Sequence, residues 1–330
     1  MSAGARQMRA AMVVPHPGGG SVEVRDVERP ALTPGGVLVR VKASGINRGE
    51  ILLRRATRQG TPAIGGIEFA GEVAAVADGV KSFQVGDRVM GHGSGGQAEY
   101  IVSDPRRLMP VPKHMSWAEA AAFPNVFTTA HDAVITNGGL VAGESVLVNA
   151  SSSGIGTAAI QIAKAFGAKT IIGVSRHRAK LDKIMSLGLT HAVATSDEPL
   201  EPAVKKATAD RGVDLVIDIL GGSVIAETMR VMAVRGRLVN IGRLGAKSGE
   251  IDMDRLSFQR LKLIGASFRT RTRDETVACI EACGRDLLPM LVAGKLVVPV
   301  DRCYPVEEIA AAHDYVETNA HVGKVVLTFN

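Results

Sequence analysis

Residues 144–178 read ESVLVNASSSGIGTAAIQIAKAFGAKTIIGVSRHR. Ser145 to Asn149 is a short apolar strand, and the small residues after it form a turn. From Thr157 to Phe166 apolar residues recur at helical spacing, and Thr170 to Val174 is a second, β-branched strand. Strand, small-residue turn, helix and strand make the βαβ unit that binds a dinucleotide. Small side chains in the turn let backbone amides at the helix N-terminus approach a pyrophosphate. The turn departs from the usual glycine fingerprint: Ser151 and Ser153 stand where its first two glycines would be, and Gly156 keeps the third. The candidate pyrophosphate contacts are Ser151, Ser152, Ser153, Gly154, Ile155 and Gly156, with serine hydroxyls able to donate to phosphate. About 20 residues on, where an NAD site places an acid for the ribose 2′-hydroxyl, this chain has Ser175, Arg176, His177 and Arg178. An acid would repel a 2′-phosphate, whereas arginines and a hydroxyl would hold one. The cofactor expected is NADPH.

N-terminal to this unit, short strands alternate with Gly and Pro turns. Residues 1 to 7 read as a loose tail. Strands are expected over Met8 to Val14, Val22 to Val27, Val37 to Lys42, Ile67 to Ala77 and Ala98 to Val102, with a short helix through Ile51 to Arg55. That density over roughly 110 residues predicts a small β-barrel or sandwich. Ser116-Trp117-Ala118-Glu119 is a capping-box start, Pro124 is expected to close its helix, and Phe127 to Val134 continues as a further helix.

C-terminal to the unit, expected helices at Ala179 to Leu187, Leu200 to Ala207 and Ser223 to Met232 alternate with expected strands at Val213 to Ile219, Arg237 to Ile241 and Leu261 to Phe268. The alternation implies a parallel, doubly wound sheet. The tail reads as a helix from Thr276 to Ala293, a strand near Leu296 to Val300, a helix from Val306 to Glu317 and a final strand from Gly323 to Phe329, returning to the first domain. The fold class is therefore α/β, with three segments: a β-rich catalytic domain over residues 1–124, a Rossmann doubly wound parallel-sheet domain over 125–268, and a returning segment over 269–330.

The bulk properties agree with a small anionic ligand rather than a polymer. The net charge of +6 suits NADPH, and no long basic run exists. With 4% aromatic residues the surface has few platforms for stacking bases, so no nucleic-acid partner is expected. No apolar stretch is long enough to span a bilayer, and the start MSAGARQMRAAMVV lacks the apolar core of a signal peptide; a cytoplasmic location is expected. Three cysteines, Cys279, Cys283 and Cys303, make no disulfide framework, and Cys279 and Cys283 read as small residues on one helical face rather than a metal pair.

The ordered motifs resemble the medium-chain dehydrogenase/reductase superfamily along essentially the whole chain. They are Gly45-Ile46-Asn47, Gly65-Gly66-Ile67-Glu68-Phe69-Ala70-Gly71, Gly86-Asp87-Arg88-Val89, the Rossmann turn, Asn240-Ile241-Gly242 and His321-Val322-Gly323-Lys324. The resemblance implies a GroES-like catalytic domain beside the Rossmann domain. Zinc-dependent members bind their catalytic metal through a cysteine, a histidine and a further cysteine. Here Asn47 and Ile67 stand at the first two positions, no cysteine precedes Cys279, and His92, His114 and His131 lack ligand spacing. No metal site is expected.

What remains resembles the zinc-independent quinone oxidoreductase branch, which includes zeta-crystallin. SSSGIGTAAIQIAK and Leu263 to Arg271 are similar to its stress-inducible subgroup. The resemblance implies hydride transfer from NADPH to a quinone or an activated alkene. It implies that Asn47 (as an orienting residue) and Thr129 flank the nicotinamide, that Gly242 lies near the carboxamide, and that Ser175, Arg176 and Arg178 take the 2′-phosphate, with Phe268 completing the cofactor set. Two extra residues between Ser175 and Lys180-Leu181 leave open which basic side chain reaches the phosphate. The apolar stretch Leu261 to Phe268, at a sheet rim, suggests a homodimer.

Three rival readings are weighed. An enoyl thioester or 2-alkenal reductase shares the ASSSGIG turn, but enoyl reductases use a tyrosine shortly after the Asn47 position, where this chain has Ile51, Leu52 and Leu53. A short-chain dehydrogenase needs Tyr followed four residues on by Lys; Tyr100, Tyr304 and Tyr315 are followed by Asp104, Glu308 and Asn319. An NADPH-binding structural or RNA-binding protein is the non-enzymatic reading. Against it, Arg54, Arg55 and Arg58 read as a solvated helix face, and Arg269 to Arg273 as a loop at the edge of the cofactor cleft.

Overall fold

The computed structural model describes residues 7–330 and divides the chain into two compact units. One comprises the chain up to Asn125 together with Ile280–Asn330; the other is Val126–Cys279. Of the expected N-terminal tail, residues 1–6 lie outside the described residues, and Gln7 opens the first strand.

The first unit is built on β-structure. Ser21–Glu28, Gln7–Val14 and Ala63–Ile64 form a small antiparallel sheet. A larger sheet runs in the order Val300–Pro305, Lys324–Thr328, Val37–Ile46, Glu68–Val76, Arg88–His92 and Leu108–Pro110, with Tyr100–Ser103 also pairing with Val37–Ile46. The chain's last strand is thus paired with one near its start: Val325 faces Ile46 and Val326 faces Gly45. Val37, Val39, Phe69, Val73, Val325 and Leu327 close the core beneath it.

The second unit carries a six-stranded, wholly parallel sheet. Its order is His191–Ala194, Thr170–Ser175, Ser145–Val148, Val213–Asp218, Met232–Asn240 and Lys262–Gly265. Counted along the chain that order is 3-2-1-4-5-6, the doubly wound arrangement in which ligands bind beyond the carboxyl ends of the strands. Apolar β-branched runs fill it because helices cover both faces of such a sheet. Leu147, Ile172 and Val216 are fully buried.

Several elements differ from expectation for identifiable reasons. The helix Trp117–Ala122 ends at its cap Phe123, just before Pro124, as expected, but Pro124 has a second role. It opens the next helix, Pro124–His131, at a position where its missing N–H costs nothing, and that helix continues as a π-helical turn over Asp132–Asn137. Leu296 and Val298 are buried and Val297 is exposed, which mimics a strand, but the ladder begins only at Val300. The helix expected over residues 179–187 is a short helix, Arg178–Asp182, followed by a tight turn, Met185–Leu187. The strand His191–Ala194 and the helix Met253–Phe258 were too short to leave a period in the sequence. The capping box at Ser116 and Glu119 is present in full.

The expected solvated arginine face holds for Arg55, 61% exposed, and for Arg58, also exposed, and is corrected for Arg54. Arg54 is only 12% exposed and pairs with Glu317 at 3.1 Å, Arg55 pairs with the same carboxylate, and Arg58 donates to the Pro17 carbonyl. Arg48 donates to the Val316 carbonyl at 2.7 Å, and burial lowers its pKa. Arg48, Arg54 and Arg55 tie the Arg48–Ala56 helix to the Ile309–Glu317 helix.

Beside them His313 is 2% exposed, and neither ring nitrogen has a hydrogen-bond partner among the described residues. Burial, then the nearby Arg54 charge, pushes its pKa down to about 4. Between the unfolded value near 6.5 and about 4 the unfolded chain binds a proton that the folded chain refuses, so stability falls as pH drops through that window. His313→Leu should remove roughly 3 kcal/mol of that acid sensitivity, read as a flatter urea midpoint between pH 7 and 4; an unchanged slope would show that His313 charges freely in place.

Candidate active site

In the first unit the sequence motifs meet in one buried polar network. The centre is an ion pair: Lys324 Nζ lies 2.8 Å from Glu68 Oε1, with the two side chains 5% and 0% exposed. Lys324 sits in the strand KVVLT, paired with the Gly45-Ile46 end of Val37–Ile46, so its ammonium reaches the Ile46 carbonyl and Asn47 Oδ1 at 2.8 Å. Asn47 is the residue before the Arg48–Ala56 helix. Its Nδ2 donates to Glu68 Oε1 at 2.8 Å and to Glu50 Oε1 at 2.9 Å. Its Oδ1 also accepts from Asn125 Nδ2 at 2.8 Å. Two donor hydrogens and two acceptor positions are all that an amide has, and Asn47 uses all four here.

The glycines of the motifs are explained by what they leave room for. A Cβ on Gly45 would stand 2.3 Å from Glu68 Oε1. A Cβ on Gly65 would stand 2.4 Å from Gln97 Oε1, and Gly66 adopts a φ of +89° against the Gln97 backbone. Gln97, so accommodated, donates to Glu50 Oε2 at 3.0 Å. Glu68 is completed by the backbone N–H of Asn125, which donates to its Oε2 at 2.8 Å. Loss of hydration pushes the Glu50 pKa up to about 7, with Glu68 adding to the rise and Asn47 and Lys324 opposing it. Burial holds His92 down near 4, so it is neutral at physiological pH.

This chemistry does not suit zinc. The first ligand position offers an amide saturated with hydrogen bonds, one of them from the Lys324 ammonium, and the second is Ile67. Among the described residues no group of three or more His, Cys, Asp or Glu could hold a metal ion. Cys279 is tied to Asp132 and Arg271: Arg271 donates to Asp132 Oδ2 at 2.7 Å and to the Cys279 sulfur. Burial first, then Asp132, raises the thiol pKa. Arg271 also lies over the Phe268 ring, 4.6 Å from its centroid, so it is an internal strut rather than an exposed loop charge.

In the second unit the serine turn follows the carboxyl end of Ser145–Val148, while Ser175 ends Thr170–Ser175 and Gly242 lies just past Met232–Asn240. Ser153 caps the Gly154–Ala165 helix, its hydroxyl oxygen accepting from Gly156 N at 3.1 Å. The cap leaves the first helical amides, at Gly154 and Ile155, as the positive end of the helix dipole. Gly156 is required because a Cβ there would stand 2.6 Å from the Ala150 and Ser151 carbonyls. Ser151 is buried and its hydroxyl donates to the Val174 carbonyl at 3.0 Å, so that hydroxyl is spent within the fold; Ser152 is also buried. Ser175 ends the second strand. Arg178 donates to the Ala192 carbonyl at 2.8 Å and to Glu198 at 3.0 Å, whereas Arg176 is exposed, its carbonyl accepting from Ser196 N at 3.1 Å and its guanidinium making no hydrogen bond or ion pair among the described residues. Thr129 is half-buried on the Pro124–His131 helix, and Phe268 is half-buried beyond the last strand.

Asp218 was missed in the sequence. It is buried and accepts from Asn149, from Asn240 at 2.6 Å, and from the Leu220 and Gly221 amides. It thereby pins the ends of three neighbouring strands, and burial raises its pKa against those bonds. Gly242 follows, where a Cβ would stand 2.3 Å from the Ile219 carbonyl. The signal available was an Asp ending an apolar strand before Gly221-Gly222.

Two family signatures match the chain: "Alcohol dehydrogenase GroES-like domain" over residues 33–113 and "Zinc-binding dehydrogenase" over residues 154–282. Rat (Rattus norvegicus) quinone oxidoreductase is 29% identical over 99% of this chain and 99% of its own length. Erythronolide synthase EryA2 of Saccharopolyspora erythraea is 32% identical over 94% of this chain, which spans 9% of that protein. The crystal structure of an alcohol dehydrogenase superfamily protein from Novosphingobium aromaticivorans superposes with a TM-score of 0.88 at 31% identity, covering 98% of this chain and 100% of that one.

Breaking the Lys324–Glu68 pair from one side leaves a buried charge uncompensated, which costs about 3–5 kcal/mol. Lys324→Met should lower the urea midpoint accordingly, and adding Glu68→Gln to it should restore part of the loss. A double variant no more stable than Lys324→Met would show that the pair is not what the substitution breaks.

Proposed function

This chain belongs to the medium-chain dehydrogenase/reductase superfamily, an oxidoreductase family that uses a nicotinamide cofactor, and from that premise we propose that it is an NADPH-dependent, zinc-independent reductase of quinones or activated alkenes. The observation that carries the reading is Asn47, fully engaged by Glu68, Glu50, Asn125 and Lys324, at the position where the resemblance to zinc-dependent members puts a ligating cysteine. Without a Lewis acid to polarise an unactivated carbonyl, hydride transfer needs an acceptor that is already electron-poor. A quinone or an enone is such an acceptor. The likeness to rat quinone oxidoreductase supports the same reading.

NADPH would supply the hydride when bound. The chain's own part is to bind and orient. The amides of Gly154 and Ile155 would face the pyrophosphate, with Ser153 fixing the helix start and Gly156 keeping the turn tight. Ser175 and Arg176 would hold the 2′-phosphate, because Arg178 is committed to Ala192 and Glu198. Thr129, Gly242 and Phe268 would bound the nicotinamide end. The engaged state of Arg54, Arg55 and Arg58 favours a small-molecule partner over an RNA. Among the described residues no helix is long and apolar enough to cross a membrane. Lys262–Gly265 is the rim strand of the parallel sheet, open to pairing with a second copy, and a homodimer joined there is the assembly proposed.

Two measurements test this reading. NADPH oxidation should be compared side by side for a quinone, a 2-alkenal and an enoyl thioester; the first or second should be the best acceptor, and preference for the thioester would move the chain to the enoyl reductases. Arg176→Ala should raise the KM for NADPH roughly tenfold or more while sparing NADH. A wild-type enzyme that prefers NADH would contradict the 2′-phosphate assignment. For the assembly, sedimentation should give twice the 34.6 kDa chain mass, and a monomer would refute the rim-strand dimer.

A further inference from the structure

Asn47 is hydrogen-bonded on all four of its positions, so it has nothing left to offer an acceptor unless the network opens. Two carboxylates share its amide group. Glu68 is fully buried, paired with Lys324 and bonded to the Asn125 backbone. Glu50 differs in both respects: it is half-buried, and its two oxygens are held by neutral amides, Asn47 Nδ2 and Gln97 Nε2. One ammonium thus stands against two carboxyl groups, which leaves room for one proton. We infer that Glu50 holds that proton and delivers it to the reduced acceptor, with Asn47, Glu68 and Lys324 as the positioning residues that keep it available.

This rests on the reading of the chain as a quinone or enone reductase. The step balances simply. A bound nicotinamide cofactor would supply the hydride, and the acceptor, reduced by two electrons, would carry an anionic oxygen. That oxygen takes the proton of the Glu50 carboxyl, the Glu50 O–H bond breaks, and the carboxylate left behind is reprotonated from water. The charges facing Glu50 are Glu68 from the Glu68–Val76 strand, which favours the protonated form, and Lys324 from the Lys324–Thr328 strand, which opposes it. Beyond Glu68 stands His92, neutral because of its burial. Enclosure outweighs the lysine and brings Glu50 to about 7, close to the working pH that suits a general acid. Because the protonated form is the active one, turnover falls as pH rises above that value.

The test uses the full chain in two arms. In the first, carboxyl-labelled glutamate is followed by carbon-13 NMR in the protein without cofactor. One glutamate should titrate near 7 and vanish in Glu50→Gln; a Glu50 signal that titrates in the ordinary range near 4.5 overturns the inference. In the second, pH profiles of turnover are compared for wild type, Glu50→Gln and Glu50→Asp on the best acceptor found. Wild type and Glu50→Asp should show an alkaline limb. Glu50→Gln should lose it and turn over roughly a hundredfold more slowly, whereas the same limb surviving in Glu50→Gln overturns the assignment. If no acceptor is reduced at all, the reductase reading falls and the donor role with it, while the NMR arm separately decides whether Glu50 holds a proton at neutral pH.

Discussion

A lysine ammonium sealed between a carboxylate and an amide is the constraint on which the first unit depends. Lys324 and Glu68 are almost without solvent, and each would be costly to bury alone. The requirement that they meet fixes much else. The last strand must lie against Val37–Ile46 to bring Lys324 to Ile46 and Asn47. Residue 45 must lack a side chain because the Glu68 carboxylate fills that space, and Asn125 must present its backbone N–H to the other oxygen. The consequence is chemical: a fixed ammonium organises carboxylates but cannot exchange a ligand for substrate, which is why an already activated acceptor suits this chain.

The second unit solves a parallel problem with a buried carboxylate. Asp218 draws Asn149, Asn240 and two backbone amides together at the ends of three strands, making a rigid edge. The serine turn belongs to the same edge. The hydroxyl of Ser151 steadies the turn against the Val174 carbonyl and that of Ser153 caps the helix. The substitutions that weaken the glycine fingerprint therefore act as internal braces of the turn and of the helix start.

Most of the fold was legible because its elements are long and periodic. The Ser145 strand, the Gly154 helix and the capping box at Ser116 each declare themselves through spacing or a named residue pair. What failed was local and short. His191–Ala194 is four residues of small side chains, and Leu296 to Val298 alternates in burial without a partner strand. The site was only half legible. Asn47 and the turn could be singled out by motif, but Glu50, Gln97 and Lys324 are separated by tens to hundreds of residues, and nothing short of the strand pairing brings them together. The arginines show the same limit: charge density on a helix suggested a solvated face, while Glu317, some 260 residues away along the chain, takes up Arg54 and Arg55.

The central claim is that the Glu50, Glu68, Asn47 and Lys324 group carries one ammonium and one exchangeable carboxyl proton. Neutron diffraction from deuterium-exchanged crystals held near pH 6 reads that directly. The account predicts three deuterons on Lys324 Nζ, none on Glu68, and one on the carboxyl of Glu50. A bare Glu50 beside a deuterated Glu68 would contradict it.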